Sequence, residues 1–188
     1  VANLSVETTK LDGVRLIQPH RFGDSRGFFS EVFNLATFHG AGFDDVFVQD
    51  NQSLSAHAGT LRGLHFQAPP RDQSKLVRCG RGSLWDVVVD FRLGSETFGQ
   101  WFGAELSAAN GKQMYVPSGF LHGFVTLEPQ TEVLYKCSDY YVPDMEGTVA
   151  WDSLDIDWPL GGRTPILSDK DAAAPSFEDV ASPFGALS

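Results

Sequence analysis

The chain has 188 residues, 42% of them hydrophobic and 20% charged, which is ample for one sizeable core and too apolar for a disordered polyelectrolyte. With 24 Asp and Glu against 14 Lys and Arg the formal charge is -10, the opposite of what a nucleic-acid surface selects, although a few clustered cations can still hold a small phosphorylated ligand. Two cysteines, Cys79 and Cys137, exclude a disulfide framework and read as buried thiols in a reducing compartment.

In chain order, Gly13 to Ile17 predicts a first strand, and Ser30 to about His39 a helix with Phe29, Phe33, Ala36 and Gly40 on one face and Gly40 and Gly42 as its stop. Strands follow at Val46 to Asp50, Ser74 to Cys79, Ser83 to Asp90, Trp101 to Ser107, Lys112 to Val116, Leu121 to Leu127 and Thr131 to Ser138. These segments are short, rich in Val, Phe, Tyr and Leu, and punctuated by Gly or Pro, a pattern of antiparallel sandwiches and jelly-roll barrels rather than of alternating strand and helix. From Gly161 the composition turns to Gly, Pro, Ser, Asp and Ala. Ser168 can cap a short helical turn at Asp169-Lys170-Asp171, and the stretch from about 176 to 188 reads as a loosely ordered tail. One all-β domain over residues 1–188 is the expectation. No apolar run approaches a membrane span, and Val1-Ala2-Asn3-Leu4-Ser5 shows no basic segment leading into an apolar one, so the expected location is cytoplasmic, with no membrane partner.

Among five histidines, His20, His39 and His57 sit in polar or terminal settings and read as solvated. His65 and His122 differ. His65 lies in Leu61-Arg62-Gly63-Leu64-His65-Phe66-Gln67, where strand alternation puts Gly63, His65 and Gln67 on one face. His122 follows a tight turn in Pro117-Ser118-Gly119-Phe120-Leu121-His122-Gly123-Phe124. Gly111, Pro117, Gly119 and His122 are spaced as in the second sequence motif of cupin jelly rolls, to which this stretch is similar, but the paired histidine of the first motif is replaced by Gln67. His65, Gln67 and His122 make a poor ligand set for a transition metal, which points away from a metal site and towards acid–base chemistry.

Lys75 shares strand parity with Val77 and so faces inward, unless its strand lies at a solvated edge. Inside a barrel its charge would serve an anion or an enolate. Tyr135 shares parity with Val133 and Cys137; a buried phenol packs, and it is also a competent proton donor. Arg26, flanked by Asp24 and Glu31, reads by itself as an exposed turn with a salt bridge.

Together, Asp24-Ser25-Arg26-Gly27-Phe28-Phe29-Ser30-Glu31, Gln49-Asp50-Asn51-Gln52-Ser53, the two histidine segments, Lys75-Leu76-Val77, Asp86-Val87-Val88-Val89-Asp90, Tyr135-Lys136, Trp158-Pro159 and Leu167-Ser168-Asp169-Lys170-Asp171 resemble, in order and spacing over about residues 12–175, the dTDP-4-dehydrorhamnose 3,5-epimerase family. The resemblance implies a jelly-roll homodimer that needs no cofactor and acts on a dTDP-linked 4-keto-6-deoxy sugar. It implies His65 as general base with Asp171 orienting it, Tyr135 as acid on the opposite face of the sugar, and Lys75 on the enolate oxygen. It also implies that Arg26, Glu31, Gln49, Asn51, Arg62, His122, Glu146 and Lys170 line the substrate site. The expected reaction inverts C3 and C5 by proton abstraction alpha to the C4 ketone. Relatives that invert one centre, a related ketoisomerase, a silent sugar-nucleotide binder and a metal-dependent cupin oxygenase stand as the alternatives. If the diphosphate is held here, Arg26, Arg62, Lys75 and Lys170 are expected to converge in one cavity.

Overall fold

A computed structural model describes residues 4–185; residues 1–3, where the N-terminal reading begins, and 186–188, where the expected tail ends, lie outside the described residues. The strands are β1 (Leu4–Thr8), β2 (Arg15–Pro19), β3 (Phe22–Asp24), β4 (Gly27–Phe29), β5 (Gln49–Ser55), β6 (Leu61–Gln67), β7 (Lys75–Arg81), β8 (Ser83–Asp90), β9 (Trp101–Ser107), β10 (Gln113–Val116), β11 (Phe120–Thr126), β12 (Thr131–Cys137) and β13 (Glu146–Thr148). Two short helices, α1 (Leu35–Gly40) and α2 (Asp169–Ala172), accompany them. Six strands form one sheet in the order β1-β2-β10-β7-β12-β5 and five form a second, β13-β6-β11-β8-β9, while β3 and β4 make a separate hairpin. Pairing within the sheets is antiparallel throughout, so the all-β jelly-roll expectation holds.

The sheets close over a core of Leu16, Val77, Leu84, Val88, Phe124 and Val133. On β8 the neighbours Val87 and Val89 point the other way, into a second cluster with Leu64, Phe66, Phe91 and Phe184. Both faces of β8 are therefore buried, which is why Leu84 to Val89 reads as a continuous apolar run broken only by Asp86. A third cluster, Ile17, Phe38, Phe43 and Leu76, lies where α1 covers the outer face of the larger sheet.

The helix is shorter than its expected span. Asn34 accepts hydrogen bonds from the Ala36 and Thr37 amides and so sets the start, whereas Ser30 turns its hydroxyl to the His20 carbonyl. Phe29, expected on the helix face, stands on β4, 69% exposed. The hairpin, β1 and β13 carried no readable alternation, because they are very short or open to solvent. The capped turn at Ser168 forms where expected. The segment expected to loosen after 176 instead places Phe177 and Phe184 against Phe91, and the Leu93 amide donates to the Phe184 carbonyl. Aromatic burial outweighs the polar composition there.

Candidate active site

A cavity of about 450 Å³ lies between the two sheets. The larger sheet contributes Gln49, Asn51 and Ser53 from β5, Lys75 from β7, and Tyr135 and Cys137 from β12. The pairing explains the set: Cys137 lies between Lys75 and Gln49, and Tyr135 between Val77 and Asn51, so alternate residues on three neighbouring strands share one inward face. The smaller sheet contributes Arg62, His65, Phe66 and Gln67 from β6, His122 and Phe124 from β11, and Glu146 from β13; α2 and its cap add Lys170, Asp171 and Ser168.

Strict alternation would put Arg62 and His65 on opposite faces of β6. Both line the cavity because the register shifts: His122 pairs with His65, but Phe124 pairs with Arg62, three residues back against two. The bulge falls at Gly63, whose φ is +118° and whose missing Cβ would stand 2.6 Å from the Cα of Gly123. No side chain fits where these two strands cross.

His65 Nε2 is 2.6 Å from Asp171 Oδ1. Asp171 is buried, its other oxygen accepts from Ser168 Oγ at 2.9 Å, and its own amide donates back to that hydroxyl. Burial by itself would raise the Asp171 carboxyl; hydrogen bonds from His65, Ser168 and the Gly63 backbone outweigh it and hold the group below the usual carboxylate range. A carboxylate kept ionised in this way fixes the orientation and tautomer of the imidazole. His122 mirrors the arrangement with Nε2 2.7 Å from Asp86 Oδ1.

On the facing wall, burial raises the Tyr135 phenol, with Cys137 and Glu146 adding to the shift and Arg62 opposing it. The phenol stays protonated at neutral pH and can donate. Burial lowers the Lys75 ammonium, opposed by Cys137, Asp86 and Glu146. Neither Lys75 nor Arg62 has a carboxylate within ion-pair distance among the described residues. Lys170 does: its Nζ lies 2.5 Å from Glu146 Oε2, which also accepts from the Tyr141 hydroxyl at 2.8 Å. Cations without internal partners in an enclosed, partly apolar space suit an anionic ligand that carries its own charge.

The cavity thus gathers every residue singled out from the sequence except Arg26 and Glu31. Arg26 sits on the β3–β4 turn with 88% of its side chain exposed, paired to Asp24 at 2.5 Å, and Glu31 follows the hairpin without lining the cavity. Of the four cations expected to converge, Arg62, Lys75 and Lys170 do so and Arg26 does not, because its hairpin belongs to neither sheet. Gln67, weighed as a ligand, spends its amide on the backbone: it donates to the Arg71 and Tyr140 carbonyls and accepts from the Val142 amide. Sequence reading missed Ser53 and Cys137, although parity with Asn51 and Tyr135 points to both. It also missed Tyr141, which lies in an irregular segment and carries no pattern.

Residues 8–179 match the family model described as dTDP-4-dehydrorhamnose 3,5-epimerase. Among similar proteins, the enzyme of that name from Sinorhizobium fredii is 51% identical over 166 residues, 87% of this chain and 85% of the relative. Among solved structures, the dTDP-6-deoxy-D-glucose-3,5-epimerase of Legionella pneumophila in complex with dTDP-4-keto-L-rhamnose superposes with a TM-score of 0.93 at 43% identity, over 98% of this chain and 99% of that one. The dTDP-4-dehydrorhamnose 3,5-epimerase of Bacillus anthracis, solved with TDP and PPi bound, gives 0.90 at 47% identity, over 93% of this chain and 99% of that one.

Proposed function

The chain belongs to the dTDP-4-dehydrorhamnose 3,5-epimerase family, and we propose that the cavity between its sheets converts dTDP-4-dehydro-6-deoxy-D-glucose to dTDP-4-dehydro-L-rhamnose with His65 and Tyr135 as the opposed base and acid. The protein is an isomerase of deoxysugar biosynthesis. One observation carries the residue roles: His65 and Tyr135 project into the same cavity from different sheets.

The C4 ketone acidifies the hydrogens on C3 and C5, because the carbanion left by proton loss delocalises onto the carbonyl oxygen. His65, held by Asp171, takes the proton from one face. The electron pair moves to the C4 oxygen, where the Lys75 ammonium, which lines the same cavity, meets the developing charge. Tyr135 then delivers a proton to the same carbon from the opposite wall, and the centre is inverted. A donor on the side of His65 would only restore the starting configuration. Arg62 and Lys170 are positioned for the diphosphate, Lys170 by exchanging Glu146 for phosphate oxygens. The substrate's own carbonyl is the electron sink.

The working unit we infer is a homodimer. Arg26 and Glu31, assigned to the substrate site by the family pattern, stand outside this chain's cavity, on and beside a hairpin whose Phe22, Phe28 and Phe29 are more than half exposed. A second copy laying this hairpin over the cavity mouth would bury those rings and bring Arg26 to the diphosphate. A cytoplasmic location accords with two cysteines that are both free thiols.

Incubation with dTDP-4-dehydro-6-deoxy-D-glucose in deuterated water tests the reaction. Label at both C3 and C5 of the product is expected; label at C3 alone would establish a single-centre epimerase instead.

A further inference from the structure

Gln49, Asn51, Ser53 and Ser55 alternate onto the inward face of β5, and three of them are engaged inside the protein. Gln49 Nε2 donates to Asn51 Oδ1 at 3.1 Å and its Oε1 accepts from the Tyr141 amide. Asn51 Nδ2 reaches Cys137 Sγ at 3.6 Å, and Ser55 Oγ accepts from Arg62 Nε at 3.4 Å. Ser53 is the exception. Its Oγ is buried and has no hydrogen-bond partner among the described residues. Three other buried side-chain atoms share that condition, on Trp85, Asp86 and Gln113, but none of those residues lines the cavity, whereas Ser53 does. A hydroxyl shut off from water and from protein partners costs free energy in the ligand-free chain. It moves on a single torsion, so one staggered turn about Cα–Cβ offers it to a ligand without backbone change.

The place of Ser53 along β5 indicates which part of a ligand it meets. One alternation before it, Asn51 pairs with Tyr135, the proposed acid. On its other side the Arg62 guanidinium, proposed for the diphosphate, is anchored at Ser55 Oγ and at the Leu54 carbonyl, 3.5 Å away. Ser53 therefore stands between the row that faces the reacting carbons and the cation that faces the diphosphate. We propose that Ser53 is a further substrate-binding residue, whose hydroxyl hydrogen-bonds an oxygen where the sugar joins the diphosphate: a phosphate oxygen next to the sugar, or the hydroxyl on C2. A serine can serve either, since its O–H donates to phosphate and its lone pairs accept from a sugar hydroxyl. The inference rests on the cavity being the site of a dTDP-linked 4-keto sugar, and it adds a contact on β5 to the cations already placed there.

The experiment compares the full-length parent with Ser53→Ala and Ser53→Cys by steady-state epimerisation of dTDP-4-dehydro-6-deoxy-D-glucose, calorimetric titration with dTDP, and thermal unfolding without ligand. Both variants are expected to raise KM about fivefold to tenfold with kcat within about threefold of the parent, since Cys fills the place of Ser but is a weak donor. The ligand-free melting temperature of Ser53→Ala should stay level or rise, because the variant loses a buried hydroxyl that the fold leaves unpaired. A serine with a purely structural role would do the opposite and leave KM alone. Weaker dTDP binding by a similar factor places the bonded oxygen on the diphosphate; unchanged dTDP binding beside a raised KM places it on the sugar. An unchanged KM in Ser53→Ala, a parental KM in Ser53→Cys, or a clear drop in the melting temperature of Ser53→Ala overturns the proposal. A parent that neither binds dTDP nor epimerises the substrate removes the reading of the cavity and this proposal with it. An active parent beside an indifferent Ser53→Ala removes only the role of Ser53.

Discussion

His65 and His122 face each other across β6 and β11, and each turns Nε2 to a different carboxylate, Asp171 at 2.6 Å and Asp86 at 2.7 Å. Asp171 arrives from a capped turn more than a hundred residues away, whereas Asp86 lies on the strand next to β11. The proposed base is the more open of the two imidazoles, with 28% of its side chain accessible against 9% for His122. His65→Ala is expected to abolish deuterium exchange at both C3 and C5. Asp171→Asn keeps the shape but not the charge, and should lower kcat by about 10²-fold to 10³-fold, read as product formed per unit time.

Tyr135 is expected to separate exchange from inversion. In Tyr135→Phe the base and the Lys75 charge remain, so proton loss and its reversal from solvent continue. Delivery to the opposite face falls by about 10²-fold or more. Following deuterium incorporation into recovered substrate alongside product formation checks this; normal turnover would withdraw the acid assignment.

Gly63→Ala should damage both stability and activity. The new methyl would stand 2.6 Å from the Gly123 Cα and 2.8 Å from the His122 carbonyl oxygen, at a φ that L residues avoid. A loss of about 3 kcal/mol is expected in chemical denaturation. Activity should fall even where the chain stays folded, since the bulge at this position lets Arg62 and His65 share the cavity.

Asp90 gives a stability prediction away from the cavity. Fully buried, it accepts from the Arg92 backbone and guanidinium and from the Ser95 and Thr97 hydroxyls. Burial pushes its carboxyl upward, but these bonds prevail and bring it down from 3.8 to about 2. A carboxyl lowered by folding contributes about 2 kcal/mol above its unfolded value, and the contribution is lost as pH falls through about 2. Asp90→Asn should therefore cost about 2 to 3 kcal/mol near neutral pH, and parent and variant should converge in stability in strong acid.

Arg26→Ala tests the dimer. Its pairing to Asp24 is exposed, so the melting temperature should stay unchanged. If a second copy's Arg26 meets the diphosphate, KM should rise about tenfold or more with kcat little altered. An unchanged KM would leave the hairpin without a place at the site.

The sequence by itself was enough for the β-class and for most strand positions, and alternation on β7 and β12 turns Lys75 and Tyr135 inward with their apolar neighbours, whereas Gln49, Asn51, Glu146 and Lys170 were legible only through the family pattern. It also contained the Ser168 cap that presents Asp171. Three things depended on which strands meet. The joint exposure of Arg62 and His65 needs the bulge where β6 crosses Gly123. The meeting of Asp86 with His122 needs β8 beside β11, and the separation of Arg26 from the cavity needs a hairpin that belongs to neither sheet. Alternation along one strand is a local property, set by the geometry of a single chain segment. Register, bulges and sheet neighbours are set by residues far apart in sequence, and only the closed barrel brings those residues together.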